Sequence, residues 1–278
     1  MAIATRDELI NALGNNNSRI ILNKANITSQ TAGTFVSMWQ ATGQPGNGAA
    51  PASAANCTNA TTGGIAFTQQ TAPATSYIAY LEMAFSNNVM TGEIHDRLMH
   101  MGGLSGTVTT AQTVGMDFDG ITADNMVARI GRSDYSDIQW WLEWYTTTGS
   151  TAVTATVAVT YSDGSTGNLT AISLAATRRN GFMQSLNSYI PSAKAGLFIR
   201  AVNTVTLSAT TGTAGNFGVT ATRPLCSISS PIANYKTSND WAQLGLPEVP
   251  NAACLAVIVL TSTTSTGTLR GGGKIVHG

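Results

Sequence analysis

The first residues of the chain follow a helical period. Thr5 and Glu8 form a capping box, Leu9, Ile10 and Leu13 fall on one face, and Gly14 with the Asn run behind it stops the helix. Ile20–Leu22 and Phe35–Trp39 predict short buried segments, whereas Gly43–Ala60 is Gly, Pro, Ala, Ser and Asn and predicts a long loop with little capacity to pack. Tyr77–Phe85 is apolar at nearly every position and is assigned as a strand. Asn87-Asn88 then marks a turn, and Thr91–Met101 is expected to form one or two helical turns closed by Gly102-Gly103.

From Val108 onward the period becomes two. In IQWWLEWY (Ile138–Tyr145) the residues Ile138, Trp140 and Leu142 alternate with Gln139, Trp141 and Glu143. TAVTATVAVTYSDGSTGNLTAISL reads as two strands joined at Asp163-Gly164, a strong hairpin signal. FIRAVNTVTLSAT and FGVTATRPL repeat the pattern, and ACLAVIVLTST predicts a fully buried strand. Many short strands without intervening helices predict a mainly β fold, a β-sandwich or jelly roll with a short N-terminal helix and an extended N-terminal arm. The expected division is an N-terminal arm and small β/helix region over 1–106 and a Thr-rich, jelly-roll-like sandwich over 107–278. Within the first, residues 1 to about 60 are expected to act as an adhesive arm.

Composition narrows the function. Charged residues make up 10% of the 278, against about 25% in ordinary domains, and Thr, Ser, Asn, Ala and Gly take their place. Fourteen basic and fourteen acidic residues leave no basic face for a phosphate backbone, so nucleic acid is not an expected partner. A surface so poor in charge is poorly protected against association, which predicts a homo-oligomer. Cys57, Cys226 and Cys254 are far apart and form no CxxC pair, and are expected to be buried free thiols. Arg6, Asp7 and Glu8 stand where a secretory signal would be apolar, and no segment reads as a membrane span. Synthesis in the cytoplasm, with no membrane partner, is expected.

Candidate chemistry concentrates in GEIHDRLMHMGGLSG (Gly92–Gly106). A metal site here would use His95, Asp96 and His100, near Glu93. Two His five apart lie about 140° apart on a helix and on opposite faces of a strand, so the zinc pairing of HExxH is lost. His95, Asp96 and Arg97 are therefore expected to hydrogen-bond loops at a junction. Asp117, Asp119 and Asp124 lack the remaining oxygens of a calcium loop, and Ser105 is not in a GxSxG elbow. No catalytic residue, cofactor or metal is assigned, and the protein is not expected to be an enzyme. Trp39, Arg132, Tyr135, Trp141 and Trp144 are the interface candidates. The Trp140–Trp144 strand, flanked by carboxylates, also admits a sugar-binding platform, although a core Trp and a Trp covered by a neighbouring element or subunit explain it more simply.

The stretches HDRLMHMGGLSGTVTTAQTVG, ARIGRSDYSDIQWWLEWYTTTGSTAVTATVAVTYSDGSTGNLT, ATTGTAGNFGVTATR and DWAQLGLPEVPNAACLAVIVL resemble a family of tailed-phage virion proteins, over most of the chain. The resemblance implies a capsid decoration or cement protein, a homotrimer seated between capsomers, located on the virion surface with the major capsid protein as partner. It carries over no ligand-binding residue. A tail, collar or fibre component and a carbohydrate-binding receptor module are the alternatives.

Overall fold

A computed structural model describes residues 3–278. Helix α1 (Arg6–Asn15) is followed by β1 (Asn17–Lys24), β2 (Phe35–Ser37), β3 (Gly43–Gln44) and β4 (Ala55–Asn56). Next come β5 (Ser76–Phe85), β6 (Met90–Leu104), β7 (Gln112–Asp117), helix α2 (Met126–Arg129) and β8 (Gln139–Thr146). The series continues with β9 (Val153–Tyr161), β10 (Thr166–Asn168), β11 (Ile172–Leu174), β12 (Phe182–Ser185), β13 (Ile199–Leu207) and β14 (Asn216–Ser230). It ends with β15 (Thr237–Asp240), helix α3 (Trp241–Leu244), β16 (Glu248–Val249), β17 (Leu255–Leu260) and β18 (Leu269–His277). The protein is mainly β, with antiparallel sheets and a short N-terminal helix.

The chain divides into two compact units, each interrupted in sequence. The first comprises residues 3–49, 58–96 and 224–278; the second comprises 50–57 and 97–223. The expected cut between 106 and 107 is therefore replaced by an interleaved division. The physical reason is that β18 pairs on both flanks with early strands, Asn17 opposite Val276 and Phe85 opposite Leu269, so the C-terminal residues complete the N-terminal sheet.

In the first unit one layer runs β15–β5–β18–β1–β3, with β16 also on β5. A second layer pairs β17 with β2 and with residues 91–96 of β6. Between them lies a core that includes Ile20, Leu22, Ile78, Leu81, Phe85, Ile94, Val257 and Ile275. The segment expected as an arm belongs to this unit: β1 pairs with β18 along all eight of its residues. Helix α1 forms as its capping box predicts, with Thr5 Oγ1 accepting from the Glu8 amide at 3.2 Å and Glu8 Oε2 from the Thr5 amide at 2.9 Å. Leu9 and Ala12 are its buried positions, against Ala79 and Val276, while Ile10 points outward.

The second unit has one layer of β10–β9–β13–β7, with β11 also on β9. The other layer places β8 between β12 and β14. Its core takes Trp140, Leu142 and Trp144 from β8, Val157 and Val159 from β9, and Val202 and Val205 from β13. Trp144 stacks on Phe217 with centroids 5.5 Å apart and meets Phe182 edge-on at 5.4 Å. Asp163-Gly164 makes the expected hairpin, with Thr166 opposite Thr160. Gly218 lies so close to the next backbone that a Cβ there would stand 1.8 Å from the Met101 carbonyl oxygen.

Candidate functional site

The segment Gly92–Leu104 is strand, not helix. The backbone groups of residues 91–96 are used by the ladder to β17, where His95 stands opposite Ala256 and Asp96 opposite Leu255. This tertiary pairing overrides the local helical signal. His95 is fully buried, and its Nε2 lies 2.7 Å from Glu93 Oε2. Asp96, equally buried, accepts from the Cys254 amide at 2.8 Å. Both side chains are thus engaged within the first unit, and among the described residues no group of three His, Cys, Asp or Glu is arranged to hold a metal ion.

His100 belongs to the second unit and to a different constellation, centred on Arg97. The Arg97 guanidinium is 1% exposed and donates to both oxygens of Glu143, at 3.2 and 2.7 Å, as well as to Tyr145 Oη at 3.0 Å and Thr220 Oγ1 at 3.2 Å. Its Nε donates to His100 Nδ1 at 3.1 Å. Since arginine can only donate, the His100 Nδ1 in this arrangement is the acceptor and carries no proton. Glu143 Oε2 also accepts from Tyr145 Oη at 3.1 Å and from Thr220 Oγ1. Burial alone would push Arg97 down, but the Glu143 carboxylate overrides it and holds the guanidinium well above its ordinary value. Burial, and then the same carboxylate, push the Tyr145 phenol upward. The pair is buried and bidentate, with Tyr145 and Thr220 bonded to both partners, an arrangement that ties β6, β8 and β14 together.

The aromatic strand β8 alternates as its sequence predicts, but both faces are covered. Trp140, Trp141 and Trp144 are all 2% exposed or less, and Trp39 is 2% exposed. Trp141 donates to Thr222 Oγ1 at 2.9 Å, and Trp39 to the Ala49 carbonyl at 2.9 Å. Of the five interface candidates, Arg132 and Tyr135 are the two accessible ones, in the loop before β8. A sugar platform on β8 would need an exposed indole face, and none of its three indoles offers one.

At the end of β7, Arg200 pairs with two of the three aspartates. Its Nε lies 3.1 Å from Asp117 and its Nη1 3.2 Å from Asp119, while Asp124 instead accepts from Asn56 at 3.0 Å. Burial, then the charge of Asp119, push the neighbouring Tyr135 phenol upward. Cys57 and Cys254 are buried, and burial pushes Cys226 up to about 12, so it is no thiolate near neutral pH.

Two buried groups gave no signal in the sequence. Lys24 is 1% exposed and donates to the carbonyls of Ala41 at 3.0 Å and Gly46 at 3.3 Å; burial pushes it down to about 8. His277 bridges Ser18 Oγ at 2.8 Å and Ser76 Oγ at 2.9 Å, and burial holds it below the ordinary histidine value. On the surface, the first unit gathers three large apolar side chains: Val89 is 66%, Ile232 58% and Tyr235 60% exposed. The Val89 amide donates to the Pro231 carbonyl and that of Tyr235 to the Ile232 carbonyl, which fixes the two turns beside one another.

No protein-family model matches the chain, and no curated protein matches it. Among solved structures, that of the infectious bursal disease virus Gt strain shares 11% identity, covering 94% of this chain and 81% of the other, with a TM-score of 0.16. The Gx strain structure shares 9%, covering 95% and 82%, at 0.20. The VP2 subviral particle of the same virus shares 11%, covering 94% and 81%, at 0.17. The likeness is to proteins of a virus particle, and its TM-scores are too low to carry an argument about function.

Proposed function

We propose that the chain is a structural virion protein that decorates a phage capsid and bridges neighbouring capsomers, as a homo-oligomer, most simply a trimer, with the major capsid protein as its partner. In this reading it is not an enzyme and takes no cofactor or metal. The observation that carries the reading is the exposed cluster of Val89, Ile232 and Tyr235 on a chain with few charges. Large apolar side chains grouped at a surface mark protein contacts, and the strong internal charge pair, Arg97–Glu143, is used inside a core. The sequence resemblance to tailed-phage virion proteins points the same way. Several such contacts on one particle give strong retention from weak individual interfaces, because each later contact forms at an effective concentration on the order of millimolar.

Electron microscopy of intact particles locates the protein on head or tail. Particles lacking it should assemble with normal geometry and lose DNA at lower temperature. Substituting Val89, Ile232 and Tyr235 together by Ser should release the protein from the particle without unfolding it. Density on the tail, or depleted particles that are as robust as wild type but fail to adsorb to cells, would replace the cement reading with the tail or receptor-binding one.

A further inference from the structure

The edge of β1 is open over its central residues. The His277 amide donates to the Asn16 carbonyl at 2.9 Å, and with Ser18 opposite Ile275 and Ile20 opposite Gly273 this sets the parity of the ladder to β18. Even-numbered residues of β1 exchange bonds with β18, and odd-numbered ones turn their amides and carbonyls the other way. On that other side β3 reaches only Asn23 and Lys24. The backbone groups of Arg19 and Ile21 therefore face outward, and among the described residues no strand pairs with them.

Arg19 and Ile21 line a partly open pocket of about 430 Å3, within the usual range for a ligand site. Residues 59–66 form its opposite wall, fixed by turns from Thr61 to Thr58 and Gly64 to Thr61 and by the Ile65 amide on the Leu255 carbonyl at 2.8 Å. Gln44–Gly46 close one end, and near the other the Thr68 amide holds Ser18 Oγ at 3.0 Å. The side chains of Arg19 and Ile21 share the outer face, both exposed, and Arg19 is the charged residue of the lining.

The geometry points to a docking slot for an extended peptide segment of a partner protein, added to β1 as a short antiparallel strand. Two outward backbone pairs, at Arg19 and Ile21, match about three residues of extended chain, roughly 10 Å. Cross-strand pairing asks for an apolar β-branched residue opposite Ile21 and, two residues later, a carboxylate opposite Arg19. The preferred segment is therefore apolar-x-acidic. An unguarded edge is an aggregation hazard, and here residues 59–66 line the pocket beside it.

The test uses the full chain and the labelled peptide Ac-Ser-Thr-Val-Thr-Glu-Thr-Ser-amide, followed by fluorescence anisotropy. Binding below 1 mM is expected, weakened at least tenfold by N-methylation at the peptide Val. Exchange of Glu for Lys should weaken it at least fivefold, and Arg19→Glu should reverse that preference. Ile21→Pro should abolish binding while leaving the ladder to β18 intact, because the amide it removes points into the slot. If Ile21→Pro does not fold, the N-methylated peptide on the native chain decides alone. No binding at 1 mM, or binding indifferent to N-methylation, overturns the assignment. Self-association that Ile21→Pro removes would also overturn it, by making a second copy of this chain the occupant.

Discussion

Lys24 makes the stability of the first unit rise with pH over a range where most proteins lose stability. Its ammonium is buried and pushed down from 10.5 to about 8. Each pKa unit corresponds to about 1.4 kcal/mol, so the gap amounts to about 3 kcal/mol. Above the ordinary value both folded and unfolded chains are neutral at this position and the penalty vanishes. As pH falls through about 8 the folded form must also take up the proton, and the whole penalty is present. By linkage, about 3 kcal/mol of destabilisation at pH 7 shrinks to about 1 at pH 10, a gain of about 2 to 3 kcal/mol. Lys24→Met keeps the volume and removes the charge. It also leaves the Ala41 and Gly46 carbonyls without their donor, at a cost of about 1 to 3 kcal/mol. The two effects nearly offset one another at pH 7. Urea unfolding of both proteins from pH 7 to 10 isolates the effect, because the buried tyrosines and Cys226, which titrate in both, cancel in the difference. The native protein should gain about 2 to 3 kcal/mol on the variant across that range. A constant difference, or one that moves the other way, would refute the argument that burial alone sets this lysine.

The Arg97–Glu143 pair should show the asymmetry of buried charges: Glu143→Leu alone should cost about 3 to 5 kcal/mol in urea unfolding, whereas Arg97→Met with Glu143→Leu should cost clearly less. A double variant as damaged as the single would mean that the pair contributes through shape rather than charge. For His277, whose folded pKa lies below 6.5, stability is complete above that value and falls as pH drops beneath it; thermal melts of His277→Gln should be flatter between pH 7 and 5 than those of the native protein. Gly218→Ala would place a methyl 1.8 Å from the Met101 carbonyl and should cost at least about 1 to 3 kcal/mol by chemical denaturation, with Ala at Gly14, where a Cβ meets nothing within 4 Å, as a control.

What the sequence made legible follows from locality. The capping box at Thr5, the Asp163-Gly164 hairpin and the alternation of β8 are decided by residues a few positions apart, and all three stand in the structure. The pairing of β6 with β17 joins residues more than 150 positions apart, and no local period betrays it; hence the helical expectation for Thr91–Met101 fails. The Gly43–Ala60 stretch was expected to pack little, yet Gly48 packs by what it lacks: a Cβ there would stand 2.1 Å from the Trp39 ring. Glu143 and Arg97 each look like ordinary strand charges until the fold brings them together, so the strongest electrostatic feature of the second unit had no local signature.

The place of β18 between β1 and β5 governs the order in which the molecule can come into being. Ser18 and His277, which touch in the finished sheet, are 259 residues apart. At a synthesis rate of about 5 to 20 residues per second, β1 waits on the order of ten seconds or more for its neighbour. Until then it and β5 are both edges, inviting the wrong partner. Residues 97–223 form most of the second unit and are complete well before the last strand emerges. The second unit thus has most of its residues before the first can close, and a chain without β18 would hold a first-unit sheet with its central strand missing.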